Sequence, residues 1–93
     1  MRSVARNVRT AGGELDLVMR DGAVLVFVEV RVRGNARHGG ALASVDAHKR
    51  ARLRRAALGY LQTLEVPAPP CRFDVVCVQP QGIVWLRDAF RDD

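Results

Sequence analysis

The segment from Ala23 to Arg33 restricts the fold more than any other part of the sequence. It is rich in valine, with one leucine and one phenylalanine, which is typical of a β-strand. Because side chains alternate across a strand, the valines at every second position from Val24 to Val32 share one face. Leu25 and Phe27 begin the opposite face. Both faces are apolar in the first half of the segment, which predicts a central strand in a larger sheet.

Charge enters this strand only in its second half, where Glu29, Arg31 and Arg33 follow Phe27 on the same face. The preceding segment, residues 14–20, also alternates and predicts a second strand. We expect its side chains to divide into two sets, with Glu14, Asp16 and Val18 on one face and Leu15, Leu17 and Met19 on the other.

The dipeptide Asp21-Gly22 joins the two strands and is a strong signal for a two-residue hairpin turn of type I′. That turn would place Val18 opposite Leu25. It would also place Asp16 diagonal to Glu29, within reach of long side chains.

In this register Glu14 faces Glu29, so three carboxylates and the Arg31 guanidinium are expected to converge. Like charges that face one another destabilise a sheet, and a divalent cation between them would remove the repulsion. Ligands that are all oxygen favour Mg²⁺, Mn²⁺ or Ca²⁺ over zinc. The alternative is an ordinary sheet surface, on which Arg31 and Arg33 pair with the carboxylates.

Several separated motifs resemble the YraN-like family of small bacterial proteins: Ala5–Asn7, Gly13–Leu17, Phe27–Arg31, Val45–Lys49 and Arg72–Val76. The resemblance covers nearly the whole chain. It implies an α/β fold of the PD-(D/E)XK superfamily, which contains restriction endonucleases and Holliday-junction resolvases. In that fold a mixed sheet is combined with a crossover helix.

The resemblance also implies roles for individual residues. Asp16 would be the metal-binding aspartate, Glu29 the acidic residue of the second half-motif, and the Val30 carbonyl a further ligand of Mg²⁺ or Mn²⁺, with Glu14 as an additional candidate. Arg31 stands where a catalytic lysine is usual. An arginine can stabilise developing charge, but it stays protonated and cannot act as a base.

Family members carry a helix, often with a further active-site glutamate, before the segment that begins here at Met1. Residues 3–10 predict a strand instead, so we expect this chain to lack the usual N-terminal helix, through loss, trimming or a misassigned start codon. One flank of the sheet would then be open, which predicts homodimerisation.

A long helix is expected over residues 45–64, with Ser44 as its N-cap. One face combines Val45, Lys49, Leu53, Ala56, Ala57, Tyr60 and Leu64. Lys49 is the only lysine in the chain. Its position predicts either a side chain aimed at the carboxylates, replacing the missing catalytic lysine, or one that packs its stem and reaches water. Lysine migration to a neighbouring helix is known in the superfamily that the chain resembles.

The remaining segments predict strands over residues 71–78 and 83–87. Cys71 and Cys77 would lie ~20 Å apart on one strand, too far for a disulfide. Asp74 is expected either to support the site indirectly, without being a metal ligand, or to pair with Arg72. Phe73 and Trp85 are expected in the core. With 93 residues the chain predicts a single nuclease-like domain, residues 1–93.

The formal charge is +5, carried almost entirely by arginine, whose planar fork matches phosphate oxygens. We expect Arg31, Arg33, Arg37 and Lys49 to contact nucleic acid, DNA in preference to RNA, and the four other helix arginines, Arg50, Arg52, Arg54 and Arg55, to form a solvated face. No apolar run approaches the ~20 residues that span a bilayer. There is no apolar signal segment, so the expected location is the cytoplasm.

Three functions are compatible with these features. The first is a Mg²⁺- or Mn²⁺-dependent nuclease acting on DNA, including branched or damaged DNA. The second is a non-catalytic nucleic-acid-binding module that keeps the nuclease fold. The third is a protein-interaction module whose basic charge serves an acidic partner.

Overall fold

The computed structural model describes residues 1–32 and 45–91. Within these ranges the elements are β1 (Arg2–Thr10), β2 (Gly13–Asp21), β3 (Val24–Val32), α1 (Ala47–Leu61), β4 (Cys71–Gln79) and β5 (Gly82–Phe90). The strands form one sheet in the order β1-β2-β3-β4-β5. Neighbours are antiparallel except β3 and β4, which are parallel. The expected α/β class, with a mixed sheet and a crossover helix, is confirmed.

β3 lies in the middle of the sheet and is buried on both faces, as its valine-rich sequence predicts. Leu25 and Phe27 belong to the main core, which also contains the buried face of α1. Val26 and Val28 form a smaller apolar cluster with Val76 on the opposite face. A parallel pair such as β3 and β4 needs a crossover connection, and α1 lies within it.

The helix is shorter than expected at both ends. It begins at Ala47, and its N-cap is Asp46, whose Oδ1 accepts the backbone N–H of Lys49 at 2.9 Å. The predicted cap, Ser44, lies outside the described residues, and a carboxylate is an equally good N-cap. The helix ends at Leu61 rather than at residue 64. No helix in the described ranges is long and apolar enough to span a bilayer.

The hairpin between β2 and β3 corrects the expected register. The turn residues are Gly22 and Ala23, so Asp21 pairs with Val24, and Val18 pairs with Phe27 rather than Leu25. Gly22 has a φ of +60°, whereas Ala23 is not among the described residues that have a positive φ. That pattern fits a type II′ turn, which takes glycine at its first central position. The predicted type I′ turn at Asp21-Gly22 was therefore wrong.

The face assignment in β2 also needs correction. Leu15 and Val18 both pack into the helix-side core, whereas Leu17 belongs to the opposite face. Two residues three positions apart share a face only if the alternation is interrupted between them. The interruption coincides with Asn7 of β1, which has a φ of +52° and lies across the ladder from Asp16.

Substitutions at Asn7 should show how much of its effect on stability comes from the backbone conformation and how much from side-chain contacts. Asn7 is exposed, so its replacement by alanine removes little packing. The left-handed conformation costs a Cβ-bearing residue about 1–2 kcal/mol, and asparagine tolerates it better than alanine. We expect Asn7→Ala to lower the free energy of unfolding by about 1 kcal/mol and Asn7→Gly to leave it nearly unchanged, measured by urea denaturation. Equal losses in the two variants would contradict this account of the strand irregularity.

The turn between β1 and β2 docks tightly against α1. The Thr10 hydroxyl donates to the Ala56 carbonyl at 2.9 Å. A Cβ added to Gly12 would lie 2.0 Å from the carbonyl oxygen of Arg55. Backbone therefore touches backbone at this point, which fixes the helix relative to the strand that carries Asp16.

Asp74 is fully buried on the sheet face opposite α1. It accepts hydrogen bonds from the Arg72 guanidinium, from the Trp85 indole N–H at 2.9 Å and from the Asp88 backbone N–H at 2.9 Å. The predicted pairing with Arg72 is confirmed. Phe73 is buried as expected, but Trp85 is 40% exposed, so the prediction that Trp85 lies in the core was wrong.

No disulfide joins Cys71 and Cys77, as predicted; Cys77 is buried and Cys71 is exposed. Arg33 and Arg37, two of the expected nucleic-acid contacts, lie outside the described residues.

Candidate metal site and nucleic-acid cleft

Asp16 lies where β2 and β3 separate. The ladder between these strands ends at the pair Leu17 and Val28. Beyond that pair, Oδ2 of Asp16 accepts the backbone N–H of Val30 at 2.9 Å. The Asp16 side chain thus takes the place that a β2 carbonyl would occupy in a continuing ladder. This hydrogen bond fixes the carboxylate at the edge of a gap between the two strands.

Glu29 lies beside Asp16, with its carboxyl group within hydrogen-bonding reach of the Asp16 carboxylate. In the observed register Glu29 is the β3 residue across from Asp16, rather than diagonal to it as predicted. The two carboxyl groups therefore come together although the expected turn was wrong. Nη1 of Arg31 is 3.5 Å from Oε2 of Glu29, and the Glu29 side chain is 13% exposed.

This environment raises the pKa of Glu29 to about 7. Burial is the largest cause, followed by the hydrogen bond and the negative charge of Asp16, whereas Arg31 acts in the opposite direction. Without a cation, Glu29 holds a proton against Asp16 near neutral pH. Two carboxyl groups arranged in this way are stabilised by a proton or by a positive ion between them.

The raised pKa predicts a pH-dependent cost of folding. The folded chain keeps the Glu29 proton up to about pH 7, whereas the unfolded chain releases it near 4.5. Stability should therefore fall as pH rises from 4.5 to 7 and stay low above pH 7. After allowance for solvent screening, we expect Glu29→Gln to raise the free energy of unfolding by about 1–2 kcal/mol at pH 8 in EDTA.

The same substitution at pH 4 should have little effect, because Glu29 is protonated in both states. Glu14→Gln is the matched control, since the Glu14 side chain is 67% exposed. Chemical denaturation at the two pH values measures the difference. A stability change in Glu29→Gln that is the same at both pH values would contradict the assigned environment.

A cleft of about 540 Å³ opens between the strand ends and α1. Its wall contains every predicted site residue that falls in the described ranges: Glu14, Asp16, Glu29, Val30, Arg31 and Lys49. These residues come from two strands and one helix, so the fold brings together positions that are up to 35 residues apart in sequence. Their chemical roles stay predictions.

Glu14 is at the rim of the cleft rather than beside the other two carboxylates. Its Oε1 accepts from Nη2 of Arg9 at 3.0 Å, and both side chains are largely exposed. In residues 1–32 and 45–91, no three His, Cys, Asp or Glu side chains group closely enough to hold an ion. The ligands predicted from the sequence, Asp16, Glu29 and the Val30 carbonyl, would form an all-oxygen set of the kind that Mg²⁺ or Mn²⁺ prefers.

Lys49 lies in the first turn of α1 and lines the same cleft as Asp16 and Glu29. Its backbone is fixed by the Asp46 cap. This position is compatible with both orientations left open by the sequence, the side chain aimed at the carboxylates and the one that packs its stem and reaches water. The cleft thus has a lysine from the helix in addition to the arginine that follows Glu29 in the strand.

The sequence did not distinguish among the four remaining arginines of the helix. The guanidinium groups of Arg50 and Arg54 lie over the Phe90 ring, each 5.6 Å from its centroid. Arg52 and Arg55 instead line the cleft. Their spacing from Lys49, three and six residues, was the available signal, because residues three apart are neighbours on a helix.

A family model described as "Uncharacterised protein family UPF0102" matches residues 1–78. The chain belongs to this family. UPF0102 is the YraN-like family that the sequence motifs resemble. The matched range runs from β1 to β4, so it includes Asp16, Glu29 and Lys49, and most of β4.

UPF0102 proteins from several bacteria are similar along most of this chain. One from Burkholderia pseudomallei (strain 1106a) is 56% identical over 91 residues, which cover 97% of this chain and 62% of the relative. One from Xanthomonas campestris pv. campestris (strain B100) is 55% identical, covering 100% and 79%. One from Shewanella halifaxensis (strain HAW-EB4) is 49% identical, covering 94% and 76%. The chain thus spans less than two thirds of the Burkholderia UPF0102 protein.

Proposed function

We propose that this UPF0102 protein is a metal-dependent nuclease that acts on DNA, with branched or damaged DNA among its substrates. The observation that carries the proposal is the Asp16 carboxylate, which the Val30 N–H fixes beside a largely buried Glu29. Two carboxyl groups held together in a cleft with cationic walls are costly for stability alone. Their arrangement is useful if a cation binds between them.

Asp16, Glu29 and the Val30 carbonyl would hold Mg²⁺ or Mn²⁺. Such an ion makes a bound water a better nucleophile at neutral pH and offsets the charge that develops on a phosphodiester. Arg31 and Lys49 would stabilise the same charge from β3 and α1. Arg31 can orient a phosphate oxygen but cannot accept the proton of the attacking water. The resemblance to PD-(D/E)XK nucleases supports these roles.

The second candidate is a nucleic-acid-binding module that keeps the nuclease fold without cutting. Arg31 favours this candidate, because it replaces the lysine that is usual after the second acidic residue and it contacts Glu29 directly. A guanidinium that remains on Glu29 would compete with a metal for the same carboxylate. In this case the cleft would bind phosphates through its cations alone.

The predicted homodimer remains part of this proposal. Val32, Val78 and Ile83 form a row across β3, β4 and β5 on the face opposite α1. Val32 is 80% exposed and Ile83 69% exposed. An apolar row of this kind supports association of two copies.

A cleavage assay tests the proposed function. Labelled duplex, single-stranded and four-way-junction DNA, with a duplex RNA of the same sequence, would each be incubated with the protein in Mg²⁺, in Mn²⁺ and in EDTA. We expect cutting of at least one DNA substrate with either metal and none in EDTA. Binding without cutting would favour the second candidate. Absence of any salt-sensitive binding would favour a protein-interaction role, because phosphate contacts weaken steeply as salt rises.

A further inference from the structure

We infer that Arg52 and Arg55 continue from Lys49 as a row of phosphate-binding side chains along α1, which we call the phosphate row. The row would hold one strand of a nucleic acid as it leads away from the carboxylate pair. This inference rests on the proposed function for the location of the reacting phosphate. It adds a binding site for the backbone of a polynucleotide that continues beyond that phosphate.

The first support is that two of the helix arginines contact other parts of the protein, whereas the other two line the cleft. Arg50 donates from Nε to the Val45 carbonyl at 3.0 Å, and Arg54 donates from Nη2 to the Arg91 carbonyl at 2.8 Å. Both guanidinium groups also lie over Phe90. These two arginines therefore serve packing. Arg52 and Arg55 are exposed and face the cleft.

The second support is spacing. At ~1.5 Å of rise per residue, Lys49 and Arg52 are ~4.5 Å apart along the helix axis, and Lys49 and Arg55 are ~9 Å apart. A DNA strand carries one phosphate per ~3.4 Å of its axis. Because phosphates that wind around the axis lie farther apart than this rise, the row extends over at most about two to three nucleotides. Long guanidinium side chains can adjust to the remaining mismatch, and each fork can bind two phosphate oxygens.

The third support is the rigid link between the row and the carboxylates. The backbone of Arg55 touches the turn at Gly12, and Thr10 donates to the neighbouring Ala56 carbonyl. That turn leads directly into β2, which carries Asp16. Cations that are held at a fixed distance from the reacting centre can position a substrate without a further ordering cost.

The phosphate row restricts the class of substrate. A substrate with two or more phosphates beyond the reacting one should bind far better than a dinucleotide, which cannot reach Arg55. Recognition would be independent of base sequence, since side chains on the phosphate row read only the backbone.

Salt-dependent binding tests the row. The affinity for a fluorescein-labelled 20-base-pair duplex would be measured by anisotropy in EDTA over a range of KCl concentrations, for the wild-type chain and for Arg52→Ala/Arg55→Ala. Each phosphate contact contributes about 0.9 to the slope of log affinity against log salt. We expect the slope of the double variant to be smaller by about 2 and its affinity to fall at least ~10-fold at low salt.

The matched control is Arg6→Ala/Arg87→Ala, which removes the same charge from exposed positions on β1 and β5 outside the cleft. Its slope should change by less than ~0.5. An equal reduction in the two double variants, an unchanged slope in Arg52→Ala/Arg55→Ala, or wild-type binding that does not depend on salt would each overturn the row. Thermal unfolding of both variants checks that the exposed substitutions leave the fold intact.

The row and the nuclease proposal can fail separately. A reduced slope in the double variant together with no metal-dependent cutting by the wild type would retain the row and discard the nuclease. Metal-dependent cutting by the wild type together with an unchanged slope in the double variant would retain the nuclease proposal and discard the row.

Discussion

Replacing Asp16 with asparagine is expected to lower the rate of metal-dependent DNA cleavage by on the order of 10³-fold. The asparagine side chain keeps the shape of aspartate, and its carbonyl oxygen can still accept the Val30 N–H. The substitution therefore removes the charge of one proposed metal ligand and leaves the strand connection in place. Loss of residues that merely orient metal ligands already costs 10–100-fold, so loss of a ligand itself should cost more.

The rate would be measured with Mn²⁺ on the DNA substrate that the wild-type chain cuts best. Glu14→Gln is the control, because it removes a carboxylate from the rim of the same cleft without touching the pair formed by Asp16 and Glu29. Its rate should stay within a few-fold of wild type. Cleavage by Asp16→Asn at the wild-type rate would show that Asp16 does not hold the metal.

The second large effect is expected at Gly12. A methyl group there would lie 2.0 Å from the carbonyl oxygen and 2.4 Å from the carbonyl carbon of Arg55. Both contacts are with helix backbone, which cannot rotate away as a side chain would. The turn must separate from α1, and the hydrogen bond from Thr10 to Ala56 is lost with it. We expect Gly12→Ala to lower the free energy of unfolding by about 3 kcal/mol or more.

Gly22→Ala provides the comparison for urea denaturation. Gly22 has a φ of +60°, but a Cβ at this position would meet no atom within 4 Å. Its cost should be limited to backbone strain, about 1 kcal/mol. If Gly12→Ala proves no more damaging than Gly22→Ala, the close approach of turn and helix is not a principal contact of the fold.

The sheet could be predicted from the sequence because its central strand has an unusual composition. Few positions in a small protein are buried on both faces, so the run from Val24 to Val28 strongly restricts where β3 can lie. The apolar stripe of α1 follows a helical period and was equally readable. Both signals depend on burial of many side chains and tolerate errors of one or two residues at the ends.

The register of the β2–β3 hairpin could not be read with the same certainty because it depends on one turn. The two turn residues could be Asp21 and Gly22 or, one position later, Gly22 and Ala23. Moving the turn by one position shifts the β3 partner of every β2 residue by two positions. The Arg72 contact with Asp21, at 2.8 Å, is one feature that favours the observed choice. This contact joins residues 51 positions apart, so local turn preferences do not include it.

The sequence predicted correctly that Asp16 and Glu29 lie near each other, although the strand register used in that prediction was wrong. Asp16 lies in the first half of β2 and Glu29 in the second half of β3, and the antiparallel pairing brings these halves side by side. A two-residue shift therefore changes the two residues only from diagonal to opposite neighbours. The irregularity at Asn7 was not visible, because a left-handed asparagine interrupts the alternation without a glycine to mark it. The placement of Arg52 and Arg55 in the cleft depends on where Phe90 and the β1–β2 turn pack against α1, which no local pattern contains.

A direct metal titration tests whether Asp16 and Glu29 form a site for a divalent cation. Mn²⁺ would be added to the ¹⁵N-labelled chain while the backbone amide signals are followed by NMR, at pH 6 and at pH 8. We expect one saturable site, at which Mn²⁺ broadens the Val30 amide signal first and binds more tightly at pH 8 because the Glu29 proton must leave. We expect this site to be absent in Asp16→Asn. Saturable broadening that persists in Asp16→Asn, or no saturable broadening near Val30 in the wild-type chain, would contradict the proposed metal site.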